Sequence, residues 1–138
     1  MKQLTTRFAA AALLLAGLGT TSQLFAQSNE VRATVPFNFI VADKQMPAGR
    51  YQFFEGSDGL LYIRNLQQPI AALSQISGRD GIQRNDNNLV FHKYGTRYFL
   101  SEVHSRSMIV NGDIPRSKLE KQSQEASVDH ATTLVAAE

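Results

Sequence analysis

Three histidines, His92, His104 and His130, are the only imidazoles in the chain, and there is no cysteine. A metal site would need two of them together. His92 lies in the apolar run Leu89–Tyr94 and His104 ends the run Arg97–His104, with Gly95-Thr96 between. If that dipeptide is a two-residue hairpin turn, Tyr94 faces Arg97 and His92 faces Phe99. His92 then shares a face with Ser101 and Val103, while His104 falls on the other face with Leu100 and Glu102. That register excludes a metal shared by the two. A three-residue loop would reverse the parity.

Other chemistry is equally sparse. Members of a Ser-His-acid triad need not be close in sequence, but no Gly-x-Ser-x-Gly elbow occurs, Ser57 sits in a turn cluster and Ser101 sits mid-strand. Glycoside chemistry needs two acids across a cleft. Glu55 and Asp58 share one turn, and Glu102 reads first as a solvent-facing or ion-paired strand residue. Asp80, Asn85, Asp86, Asn87 and Asn88 make an oxygen-rich loop of the kind calcium accepts, without the EF-hand order. Gly78 and Gly81 are not followed by a helix pattern, so no phosphate loop is expected. No cofactor, metal site or catalytic set is expected.

The elements that would position these residues are mostly strands. Val31 to Val41 alternates apolar and polar positions, the mark of a strand with one buried face. Pro36 cannot donate to a ladder, which predicts an edge strand or bulge. Asp43–Gly49 reads as a turn. Arg50–Phe54, Leu60–Arg64 and Ile70–Ile76 read as strands, separated by the turn clusters Glu55–Gly59 and Asn65–Pro69. Ser77–Asn88 is the most polar loop. Leu89–Tyr94 and Arg97–His104 form the clearest hairpin, and Met108–Val110 reads as a last short strand. Ser117 and Glu120 have the spacing of a capping box and predict a helix to about Ala126. The fold class is mainly β: a single small antiparallel barrel or sandwich of about six to seven strands with a short C-terminal helix.

The first 26 residues read differently. Lys2 and Arg7 precede the apolar run Phe8–Leu18, and small residues lead to Ala26. This is the layout of a secretory signal peptide, too short to span a bilayer, which takes about 20 apolar residues. The expected organisation is a leader over 1–26, a β domain over 27–126 and a disordered tail over 127–138. Loss of Lys2 and Arg7 leaves basic residues equal to the 12 acidic ones, so nucleic acid is not an expected partner. No transmembrane segment is expected after the leader, and the compartment is periplasmic or extracellular.

Several segments together resemble a group of small exported bacterial β proteins to which no activity is attached. They are Val35-Pro36-Phe37-Asn38-Phe39, Pro47-Ala48-Gly49-Arg50-Tyr51, Leu89-Val90-Phe91-His92-Lys93-Tyr94-Gly95 and Pro115-Arg116-Ser117-Lys118-Leu119-Glu120. Met46 and Ile114 stand where that pattern has Leu. The resemblance implies a shared single-domain β fold and carries no catalytic residues. The leading expectation is therefore a non-enzymatic exported domain that binds an envelope protein or a small ligand. Its candidate contacts are Arg79, Asp80, Asp86, His92, Tyr94, Arg97 and Glu102, on the polar loop and the hairpin. The alternatives are an assembly protein pairing through a strand edge and a small barrel hydrolase or isomerase using Glu102, His92 or His104.

Overall fold

A computed structural model describes residues 30–78, 86–106 and 110–138. The expected leader, Arg79, Asp80 and the Met108-Ile109 part of the expected last strand lie outside these residues. In chain order the elements are β1 (Glu30–Val35), β2 (Phe39–Val41), β3 (Lys44–Met46), β4 (Gly49–Glu55), β5 (Leu60–Asn65), β6 (Ala71–Gln75), β7 (Ser77–Gly78), β8 (Asn88–Tyr94), β9 (Arg97–His104), β10 (Gly112–Asp113), α1 (Lys118–Ala126) and β11 (His130–Ala136). The molecule is mainly β, a curled half-barrel with one short helix near its C-terminal end.

One sheet runs β1-β4-β5-β6 and the other β11-β8-β9-β10-β7, with the β2–β3 hairpin attached to β9 through β2. The alternation seen in the sequence becomes the inner face. Val31, Ala33 and Val35 of β1 are buried, as are Tyr51 and Phe53 of β4 and Leu61 and Ile63 of β5. Leu89 and Phe91 of β8 and Leu100 and Val103 of β9 meet them from the other sheet. Phe39 presents its edge to Tyr51 at 5.1 Å and to Phe91 at 5.4 Å. Each such fully buried side chain contributes about 1.5–3 kcal/mol relative to exposure.

The run Val31–Val41 is two strands rather than one. Pro36 lies between β1 and β2, where the chain passes from one sheet to the other, so it ends β1, the edge strand of its sheet, and interrupts the run. Asp43–Gly49 is likewise more than a turn. Ala42 and Asp43 both take positive φ, 49° and 61°, the requirement of a type I′ hairpin, and Lys44–Met46 pairs back on β2. Val110 is buried but lies outside any strand, and the short strand beside β9 is Gly112–Asp113. There the backbone of β7 passes so close that a Cβ on Gly112 would meet the Ser77 carbonyl oxygen at 2.5 Å.

Where a tail is expected over 127–138, the structure has a strand, His130–Ala136. His130–Ala136 pairs with the whole of β8, from His130 opposite Tyr94 to Ala136 opposite Asn88. The end of this strand reaches β1. Ala137 bridges Ala33, and the Glu138 N–H donates to the Arg32 carbonyl at 2.7 Å. That joins the two sheets along one side. On the other side no ladder among the described residues joins β6 to β3, and the chain passes from β6 into β7, the end strand of the second sheet. Among the described residues no helix is long and apolar enough to cross a membrane.

Candidate functional site

The hairpin β8–β9 closes on Gly95-Thr96 as expected. Gly95 takes φ +62°, and Tyr94 faces Arg97 while His92 faces Phe99. The expected register fails farther down. Phe91 pairs with Leu100 and Val90 with Glu102, leaving Ser101 as a bulge. A bulge inserts one residue, so every later side chain on that strand changes face. Glu102 and His104 therefore share the outer face with His92, which corrects their placement on opposite faces.

Two polar clusters result. In the first, His92 Nδ1 lies 3.1 Å from Glu120 Oε1 and its Nε2 lies 3.2 Å from Ser101 Oγ. The Tyr94 hydroxyl donates to the same Glu120 oxygen at 3.4 Å. A carboxylate only accepts, so a neutral His92 carries its proton on Nδ1 and accepts the Ser101 hydroxyl at Nε2. In the second, His104 Nε2 donates to Glu102 Oε2 at 2.6 Å, and Nδ1 faces the Asn111 side-chain amide at 2.7 Å. Among the described residues no three acidic, histidine or cysteine side chains converge to hold a metal.

The order Ser101–His92–Glu120 is that of a nucleophile, base and orienting acid. Its setting is structural. Ser101 is 8% exposed within the bulge, and its carbonyl accepts the Ile114 N–H. Glu120 is the side chain by which α1 docks. Ser117 caps the helix by accepting the Glu120 N–H at 3.2 Å, but the Glu120 carboxylate enters the sheet. Glu120 and Ser123 are the buried residues of α1, and Leu119 packs half-buried against the small cluster Ile40, Tyr94 and Phe99. Burial first, and the Glu120 charge second, push the Tyr94 phenol above its ordinary pKa; Arg116 opposes them.

The other candidates are separate. Asp86 is exposed at the start of the strand region leading to β8. Arg97, at the hairpin tip, donates to Ser123 Oγ at 3.4 Å, and no carboxylate of the described residues lies within ion-pair distance of it. It borders a cleft of about 460 Å³ where the sheets stand apart. Ile40, Met46, Pro47 and Ile70 supply the apolar walls, and Gln45, Gln68 and Tyr98 the polar rim. Sequence reasoning found Arg97 but missed this cleft, because its walls come from β2, β3 and the β5–β6 turn. The Pro47-Ala48-Gly49 motif was the signal available, since it ends β3 at the cleft. No family model, curated protein or solved structure matches this chain.

Proposed function

We propose that this protein is a non-enzymatic, exported binding domain whose ligand occupies the cleft between the β2–β3 hairpin, the β5–β6 turn and the β8–β9 tip. The observation that carries the reading is a cavity with apolar walls that is lined by Arg97, a residue with no carboxylate of the described residues within ion-pair distance. Pockets of roughly 300–1,000 Å³ with apolar walls and a few placed polar groups are the usual form of small-ligand sites. A group with an apolar body and an anionic end fits both features, because Arg pairs a carboxylate in a fork of parallel hydrogen bonds. Export rests on the leader pattern of residues 1–26 and on the resemblance of the motif segments to small exported β proteins.

The test uses octanoate as the probe and octanol as its uncharged control, with calorimetric titration of the purified protein. Octanoate should bind and octanol should bind at least tenfold more weakly. Arg97→Gln, an exposed change, should remove that preference while leaving the melting temperature unchanged. Equal binding of octanoate by wild type and Arg97→Gln would refute the assignment. Mass spectrometry of the exported protein, with Gln27 expected as its first residue, tests the leader.

A further inference from the structure

Strand β6 ends its sheet, and the direction of its free backbone groups can be worked out. The Asn65 N–H donates to the Ile70 carbonyl at 2.9 Å, so Ile70 points toward β5. In an antiparallel pair the residues that bond to a given neighbour alternate. Ala72 and Ser74 therefore bond toward β5, and Ala71, Leu73 and Gln75 point their N–H and C=O groups away from it. The position of Lys44 agrees: its ammonium, on β3, donates to the Ala71 carbonyl. Ser74 Oγ donates to the Gln75 carbonyl. No strand of the described residues lies against this edge.

The edge's own residues carry no device that would keep another strand away, and the Lys44 ammonium covers it at the Ala71 carbonyl. Ala71–Gln75 contains no charge, no proline and no bulge, the usual means of blunting an edge. Leu73 is 48% exposed. Across the opening lies β3, whose one partner strand is β2. At the Ala71 end, this open seam runs into the cleft beside Ile70, and Lys44 and Arg97 bring two positive charges to that end.

We infer that the seam takes the extended C-terminal end of a polypeptide, added as a strand antiparallel to β6. Antiparallel addition directs the terminal carboxylate of the incoming chain toward the start of β6. That is where the cleft, Lys44 and Arg97 lie. Backbone bonds to Leu73 and Gln75 supply affinity without reading sequence, and alternate side chains of the peptide enter between Met46 and Ile70 or face solvent. The inference rests on the cleft being a ligand site, and it names the ligand as a peptide with a free, apolar C-terminus.

The probe is a pool of acetyl-Thr-X-Thr-X peptides with X drawn from Val, Leu, Ile and Phe, made with free carboxylate and as C-terminal amides. The carboxylate pool should bind the purified protein at least tenfold more tightly than the amide pool. It should also slow amide hydrogen exchange at Leu73 and Gln75. Leu73→Pro deletes an outward N–H and keeps the ladder to β5, so it should weaken binding at least tenfold. Gln75→Pro, with Leu73 intact, should do the same if the first variant unfolds. Octanoate binding without peptide binding would overturn the peptide inference and leave the small-ligand reading standing. Failure of both probes would remove both. Peptide binding that spares exchange at Leu73 and Gln75, or that is equal for acid and amide, would overturn the strand geometry.

Discussion

Strands β8 and β9 show opposite chemistries on their two faces. Inward, Leu89, Phe91, Leu100 and Val103 meet the aromatic side chains of β4 and β2. Outward, His92, Tyr94 and Ser101 meet a helix whose buried residues are Glu120 and Ser123. The inner face gains from area removed from water and tolerates imperfect direction. The outer face gains from hydrogen bonds that must be complete, because a buried polar group left alone costs more than the bond contributed. The sheet therefore depends on bulk and the helix on geometry. The two faces should fail separately.

The sharpest way to break this contrast is Phe91→Ala. It should cost about 3–5 kcal/mol of unfolding free energy, read from urea denaturation, with strands and helix lost together. A small cost, or loss of the helix alone, would mean that the inner face is not the foundation. Glu120→Ala should cost about 1–3 kcal/mol, by leaving His92 and Tyr94 without their acceptor. Amide exchange should accelerate in residues 118–126 while protection in β4 and β5 is retained. Equal acceleration in β4 would merge the two regions into one cooperative unit.

The smallest effect is a titration. The Tyr94 phenol ionises later in the folded protein than its ordinary value of 10.0. Its neutral form therefore stabilises the fold fully below about pH 10. That contribution is lost as pH rises through the folded value, because the unfolded chain gives up its proton first. Tyr94→Phe should flatten the alkaline decline measured by urea denaturation across that range. The buried Tyr51 phenol is also raised by burial, against the lowering effect of its hydrogen bond with Asn65, so part of the decline should persist. An unchanged slope in Tyr94→Phe would remove Tyr94 as a contributor.

The same contrast explains what the sequence disclosed. Period-two burial is written in residue types in β1 and β5, apolar runs between turn residues made β4, β8 and β9 legible, and Gly95-Thr96 announced its turn. Ser101 gave no sign of being a bulge, since serine in mid-strand looks the same paired or unpaired. That single extra residue moved Glu102 and His104 across the sheet. The β2–β3 hairpin was hidden because Ala42 and Asp43 take positive φ without the Asn or Gly that usually marks it. Strand β11 buries only Val135, too little to show a period. The helix start was visible in Ser117, but the inward role of Glu120 depends on β8, far away in the chain. The candidate site was half legible for the same reason: Arg97 stood out, while the walls of its cleft are brought together only by folding.

The bridge between β1 and the residues after β11 has a consequence for how quickly the molecule can form. Arg32 and Glu138 stand roughly a hundred positions apart, and pairing between such distant segments is slow. Until those last bonds form, β1 keeps one side open and can pair with any chain nearby. Refolding at low concentration should be slow and complete, whereas the same experiment at high concentration should lose material to aggregates. For this protein, yield is set by a race between closure and encounter.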